Sequence, residues 1–389
     1  MTKICCLNPI SEMGTNNLTS DYELTQNLEE ADAVLVRSAD MHSLDFPESL
    51  TAIARAGAGV NNIPLDRCTE NGILVFNTPG ANANGVKELV LAGMLLAARD
   101  IDGGIRWVQE NREDETISKD MEKSKKQFAG TELKGKTLGV IGLGAIGIEV
   151  ANAADALGMH VIGYDPYLSV SGALRLSRQV RIVETPGAIY ANCNYITLHV
   201  PLLDDTRGMI NKEAISMMQD GTVILNYARD LLVNDDDIAE GLASGRIRRY
   251  MTDFPNPKTC HMTNVIATPH LGASTAESED NCAVMAVDEL RDFIETGRIR
   301  NSVNYPSCTL PPEKCACRIC IMNVNRPNMI VSFSSLLSAE GINIPNMTNK
   351  SRGNAAYTLI DCDTLPDETV IEKIRAIDGV KKIRVIYYE

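Results

Sequence analysis

An apolar, β-branched run at residues 138–141 passes directly into Gly142-Leu143-Gly144-Ala145-Ile146-Gly147, and helix formers fill residues 148–157. In that order, strand, glycine loop and helix let the backbone approach a pyrophosphate closely. The helix N-terminus then supplies amide donors and the positive end of its dipole. The next apolar run, 160–164, ends at Asp165, close to the ~20-residue spacing at which a carboxylate takes the ribose hydroxyls. Asp165 would repel a 2′-phosphate, and Pro166-Tyr167 place no arginine beside it, so the pattern predicts NAD rather than NADP. The competing reading is a structural strand-turn-helix in some other doubly wound sheet.

The rest of the chain repeats this rhythm. Short apolar runs at 33–36, 53–56 and 72–76 alternate with helical stretches, as βαβ units around a parallel sheet do. Residues 86–98 predict a buried helix, and the charged stretch 106–127 a solvated one. Further strands at 195–198, 222–225 and 264–267 each end in polar residues. In an open parallel sheet the ligand sits beyond the carboxyl ends of the strands. His199, residues 226–229, Asp253 and His270 are therefore expected to gather there. Residues 274–296 predict a helix with Gly297 as its C-cap, and a Pro-rich linker follows. The remainder reads β-α-β-β-α-β, with strands at 317–322, near 343–346, at 355–360 and at 382–386, and helices at 330–340 and 368–377. The predicted fold is α/β: two doubly wound, parallel-sheet, Rossmann-like domains and a C-terminal ferredoxin-like domain.

Composition narrows the function classes. With 389 residues, 44% hydrophobic and 23% charged, the chain can fill two or three globular domains. A net charge of −14 disfavours nucleic acid or an anionic membrane as the main partner, so an anionic substrate needs a local cationic pocket. The 11 cysteines, an odd count without regular spacing, suit reduced thiols. The opening residues lack the layout of a signal peptide, and the longest apolar stretch, near 89–98, is too short for a bilayer span. A cytoplasmic location is expected. Cys315, Cys317 and Cys320 are the one metal signal, but they run into a strand with no fourth ligand nearby, and no metal is expected.

The chain resembles the D-isomer-specific 2-hydroxyacid dehydrogenases over essentially its full length. The resemblance is carried by residues 55–63 (RAGAGVNNI), 77–82 (NTPGAN), the 142–147 loop, 198–202 (LHVPL), 226–229 (NYAR) and 268–275 (TPHLGAST). It implies a discontinuous substrate domain at 1–98 and 278–305, an NAD-binding domain at 99–277, a linker at 306–314 and a C-terminal domain at 315–389. It also implies a homodimer through the cofactor domain, or a homotetramer of such dimers. The last domain is similar to ACT regulatory modules, through Asn325-Arg326-Pro327, residues 341–344 (GINI) and Gly379-Val380. An amino-acid effector is then expected near Asn323, Asn325 and Asn343. Asn323 stands where such patterns carry histidine, and Asn328 replaces the glycine after the proline.

The family's reaction moves a hydride between the substrate C2 and the nicotinamide while a proton moves on or off the 2-oxygen. A histidine titrating near neutrality suits that proton, and the resemblance assigns it to His270. His42, His160 and His261 are read as surface or packing residues. Arg229 is expected to clamp the substrate carboxylate, since a guanidinium forms two parallel charge-assisted bonds. The resemblance lines the cofactor with Gly142, Gly144, Ala145, Ile146, Gly147, Asp165, His199, Val200, Pro201, Tyr227, Ala228, Asp253, Gly272 and Ala273. Arg37 and Arg55 are the cations for a substrate phosphate, with the Ala58 and Gly59 amides left for the carboxylate. Two departures bear on the chemistry: Asp230 replaces the glycine after the arginine, and the glutamate that pairs with the family's histidine is missing from Asp253-Phe254-Pro255-Asn256-Pro257. Asp253 is either the aspartate near the nicotinamide amide or a substitute partner for His270. The ACT-like tail and the paired arginines favour a phosphorylated acid that precedes an amino acid. Other 2-hydroxy acids, and a non-enzymatic NAD(H) sensor on the same scaffold, are the alternatives.

Overall fold

The computed structural model describes residues 1–311 and 315–388, so residues 312–314 of the expected linker and Glu389 lie outside the described residues. The chain divides into two compact units, Met1–Asn82 with Ala276–Glu389, and Ala83–Thr275.

The first unit opens with a parallel sheet of β1 (Thr2–Cys6), β2 (Tyr22–Thr25), β3 (Ala33–Val36), β4 (Ala52–Arg55) and β5 (Leu74–Phe76), in the order β2-β1-β3-β4-β5. β3 and β5 are buried along their whole length, which is why they read as unbroken apolar runs rather than alternating ones. The order reverses between β1 and β3. Asn8, just past β1, fixes the loop after β3 by accepting the amides of Arg37, Ser38 and Ala39 at 3.0 Å each.

The second unit is built on seven parallel strands: β6 (Thr137–Ile141), β7 (His160–Tyr164), β8 (Arg181–Ile182), β9 (Tyr195–Leu198), β10 (Thr222–Asn226), β11 (Ile247–Thr252) and β12 (Val265–Ala267). Their order is β12-β11-β10-β9-β6-β7-β8, so the winding reverses between β6 and β9. The helix Ala83–Ala98 buries Val86, Val90, Met94 and Ala97 in one core with Leu138, Val140 and Leu225. The expected solvated helix is in fact two, Ile101–Glu110 and Ile117–Ser124, with no buried residue in either. Asn111 ends the first by donating its side-chain amide to the Trp107 carbonyl, a local bond that competes with helix continuation.

The C-terminal module returns to the first unit as an antiparallel sheet of β13 (Cys317–Val324), β14 (Asn346–Arg352), β15 (Ala355–Cys362) and β16 (Val380–Tyr387), ordered β14-β15-β13-β16. Its second strand begins at Asn346, later than the expected 343–346. Pro345 has no amide to offer a ladder, while Ile342 and Ile344 pack beneath the helices. One face of β13 (Cys317, Ile319, Ile321) meets the helices Met329–Ala339 and Glu368–Arg375. The other face (Cys320, Met322) joins Tyr357 and Leu359 in a core shared with Phe76, Leu290 and Phe293. The junction is close enough that a Cβ on Gly297, which ends the helix Ala276–Thr296 at φ 73°, would lie 2.6 Å from the Cys320 sulfur. Cys317 and Cys320 thus point into different cores, and no disulfide joins cysteines among the described residues.

Candidate active site

At the reversal between β6 and β9 the second unit opens a cleft of about 550 Å³, lined by Gly142, Gly144, Asp165, His199, Val200 and Pro201 among others. Gly142 follows β6 at φ 93°, and a Cβ there would lie 2.6 Å from the His199 carbonyl oxygen. A Cβ on Gly147 would lie 1.9 Å from the Gly142 carbonyl oxygen, so the loop closes only with glycine at both ends. Around Gly144, by contrast, nothing stands within 4 Å of the Cβ position. Ala145, Ile146 and Gly147 form the first turn of the helix Ala145–Ala156, and their amides have no acceptor among the described residues. Open space against unpaired helix N-terminal amides is what a pyrophosphate requires.

Asp165, at the end of β7, is held by the Leu143 amide on Oδ2 and the Tyr167 amide on Oδ1, both at 2.8 Å. The wall also includes Tyr167, Tyr190, Leu203, Thr206 and Met209, which pattern reading did not single out. Thr206 closes that wall by donating its hydroxyl to the Pro201 carbonyl at 2.6 Å, a local turn bond that a Thr five residues past a proline could have signalled.

The residues expected to carry the chemistry stand on the neighbouring strand ends. Asn226, buried at the end of β10, donates its amide to the Arg229 carbonyl at 2.9 Å and accepts the Ala228 and Arg229 amides at 3.3 Å, which shapes the turn that exposes Arg229. Asp230 does not crowd this arginine from an unpaired position: its Oδ1 accepts the Asn256 amide at 3.2 Å. Past β11, Asp253 is buried with Oδ2 on the Gly272 amide at 3.1 Å and Oδ1 without a partner among the described residues. Burial raises its carboxyl above the usual range, against the pull of the Gly272 amide and of the nearby His270 and Arg229.

His270, past β12, is exposed at φ 25°, with its amide donating to the Asp253 carbonyl at 2.9 Å. Its ring has no hydrogen-bond partner among the described residues and lies 4.7 Å, centroid to centroid, from Phe254. His199 is its opposite. Its Nε2 lies 2.9 Å from the Thr197 hydroxyl, its Nδ1 is buried without a partner among the described residues, and burial pushes its pKa down to about 3. A ring that stays neutral at physiological pH can line a cofactor but cannot serve as the proton carrier. Tyr227, Ala228, Gly272 and Ala273 flank these groups on the β10 and β12 sides and do not line the cleft itself.

In the first unit, Arg55 ends β4, with Nε donating to the Arg37 carbonyl at 2.9 Å and a second nitrogen to the Gly59 carbonyl. Arg37 pairs with Glu279 at 2.6 Å. The Ala58 and Gly59 amides have no acceptor among the described residues, so this loop can present two N–H donors to an anion. In the C-terminal module, Asn323 is buried, donating to the Val324 carbonyl at 2.9 Å and accepting from Thr358 at 3.3 Å, whereas Asn325 and Asn343 are exposed. Among the described residues no group of three His, Cys, Asp or Glu side chains is placed to hold a metal, and no helix is long and apolar enough to cross a membrane.

Comparison with known proteins agrees with this geometry. Residues 91–272 match the family described as D-isomer specific 2-hydroxyacid dehydrogenase, NAD binding domain. The D-3-phosphoglycerate dehydrogenase of Methanocaldococcus jannaschii is 36% identical over 318 residues, 79% of this chain and 58% of that protein, so the chain spans under two thirds of that relative's length. The hydroxypyruvate reductase of Thermotoga maritima is 37% identical over 298 residues, 74% of this chain and 91% of that protein. Among solved structures, NAD⁺-bound 3-phosphoglycerate dehydrogenase from Entamoeba histolytica superposes with a TM-score of 0.60 at 27% identity, covering 78% of this chain and 98% of that one.

Proposed function

We propose, since this chain belongs to the D-isomer-specific 2-hydroxyacid dehydrogenase family, that it interconverts D-3-phosphoglycerate and 3-phosphohydroxypyruvate with NAD, the oxidation that opens the phosphorylated route to L-serine. One observation carries the reading: a single sheet sets a glycine-lined cleft, an exposed arginine and an exposed imidazole at its strand ends. In this reading residues 1–98 and 278–305 bind substrate, 99–277 bind NAD, and 315–389, beyond the linker 306–314, form an ACT-like regulatory domain. The first-turn amides of Ala145–Ala156 take the pyrophosphate and Asp165 the adenosine ribose. Bound NAD supplies the hydride acceptor. His270 removes the proton from the 2-hydroxyl in oxidation and returns it in reduction. Arg229 holds the substrate carboxylate through a bidentate bond and polarises the 2-oxygen. The unpartnered Oδ1 of Asp253 is left to accept the nicotinamide amide.

Because Asp165 places a negative charge where a 2′-phosphate would sit, NADH should bind at least about tenfold more tightly than NADPH, and Asp165→Ala should narrow that gap. Fluorescence titration of both cofactors measures it, and equal affinities in the parent chain would refute the assignment.

The likeness to a hydroxypyruvate reductase keeps an unphosphorylated acid as the second reading. NADH oxidation with 3-phosphohydroxypyruvate, hydroxypyruvate and glyoxylate separates the two. Turnover should favour the phosphorylated acid, and Arg55→Ala should raise its KM by about tenfold or more while leaving hydroxypyruvate unaffected. Equal efficiency on all three acids would discard the phosphate site.

We further read the chain as a cytoplasmic homo-oligomer whose C-terminal domain takes an amino-acid effector near Asn325 and Asn343. Ile101, Ile105 and Val108 recur at helical spacing and, with Met121, are 37–56% exposed on helices with no buried residue. A second copy of the chain is the proposed cover. Ile105→Glu should convert the dimer or tetramer to smaller species in light scattering, and an unchanged mass would remove this face from the interface.

A further inference from the structure

We propose that Phe254 is the positioning residue for His270, doing with a ring face what a carboxylate bonded to the imidazole would do. This rests on the reading of His270 as the acid/base group. Neither nitrogen of His270 meets a carboxylate, or any hydrogen-bond partner, among the described residues. Its backbone stands at φ 25°, a conformation that side chains other than glycine rarely adopt, so the residue is held by its surroundings and not by its own preference. Two contacts hold it: the amide donates to the Asp253 carbonyl at 2.9 Å, and the ring lies 4.7 Å from the Phe254 ring with the planes inclined at 45°. That separation and tilt fall within the range of favourable aromatic pairs.

Phe254 is itself fixed from both sides. Its amide donates to the Thr252 hydroxyl at 3.1 Å. Downstream, Asn256 accepts the Lys258 and Thr259 amides at 2.9 and 3.0 Å and donates its side chain to Asp230 and Asp235 at 3.2 and 3.1 Å. Asp230, the departure beside the arginine, and Asn256, in the segment from which the glutamate is missing, thus belong to one arrangement. Asp230 anchors the Phe254 loop to the turn that carries Arg229, so the clamp and the imidazole share a support.

A ring held by a tilted aromatic contact loses orientation, but not the ability to accept a proton, when that contact is removed. In the full chain, Phe254→Leu should lower kcat about 30-fold, with the KM for the 2-oxo acid and the NADH affinity within about twofold of the parent. Phe254→Tyr, which keeps the ring, should stay within about threefold. The Cε1–H resonance of His270, assigned by its loss in His270→Gln, should be displaced by the Phe254 ring current, remain so in Phe254→Tyr and relax in Phe254→Leu. A Phe254→Leu protein with kcat within twofold of the parent, or with the resonance unmoved, would overturn the proposal. If the parent chain reduces no 2-oxo acid, the dehydrogenase reading fails on that result alone, and the resonance still decides whether Phe254 holds the ring. Should Phe254→Leu fail to fold, Phe254→Met replaces it with the same two outcomes.

Discussion

His270→Gln is expected to lower kcat by about 10³-fold while leaving NADH affinity within about twofold, because it deletes the proposed proton carrier and touches none of the groups around the glycine loop. His199→Gln should do the reverse. His199 faces the cofactor cleft and is neutral at physiological pH, its pKa pushed down to about 3 by burial, so its loss should weaken NADH binding and leave the pH dependence of kcat in place. Steady-state kinetics beside fluorescence titration distinguish the two histidines. A His270→Gln protein within tenfold of parental kcat would move the acid/base role elsewhere, and the raised, buried carboxyl of Asp253 would be the next group to test.

The largest effect on stability is expected far from the chemistry. Arg318 and Asp361 are 1% and 0% exposed, on adjacent strands β13 and β15, with Nε and a terminal nitrogen bonded to the two carboxylate oxygens at 2.6 and 2.9 Å. The guanidinium also donates to the carbonyls of Thr296, Leu310 and Pro311 at 2.9–3.2 Å. It therefore ties the C-terminal module to the end of the helix Ala276–Thr296 and to the linker. Arg318→Met would strand a buried carboxylate and three carbonyls, a loss of about 3–5 kcal/mol in the first unit. Arg318→Met with Asp361→Leu should recover part of that, since the stranded charge is then gone, though the carbonyls stay unpaired. Hydrogen exchange read on β13 and β15 follows this directly: opening should become about 10²–10³ times more frequent in the single variant. Unchanged exchange would show that the pair is not what fastens the module.

What could be read before the structure was what depends on neighbours in the chain. Gly142, Gly144 and Gly147 are legible because the requirement for no side chain is a local one, and Asp165 because its spacing is set by one helix and one strand. The strand ends follow from the same logic, which is how His199, Arg229, Asp253 and His270 could be expected at one edge of a sheet. Contacts made across the fold were not legible. Asn8 serves the loop after β3, Glu279 takes the Arg37 guanidinium, and Tyr167 and Met209 come to one cleft wall from separate loops. Nothing local to Arg318 shows that both faces of β13 are covered or that its partner comes from another strand. The missing glutamate was evident as a gap in a pattern. That an aromatic ring stands against His270 could not be seen, since Phe254 and His270 approach only because β11 and β12 lie side by side.

The central claim is that hydride passes between the nicotinamide of a dinucleotide whose pyrophosphate sits on the 142–147 loop and the C2 of a 2-oxo acid set by Arg229 and His270. It is tested most directly with NADH deuterated at C4 and the full chain, following the label into the product by mass spectrometry with 3-phosphohydroxypyruvate, hydroxypyruvate and glyoxylate in parallel. The account predicts deuterium at C2 of a D-configured hydroxy acid, foremost the phosphorylated one, with transfer lost in His270→Gln. Tight NADH binding with no deuterium in any of the three acids would contradict it and make the protein a sensor of NADH built on a dehydrogenase scaffold.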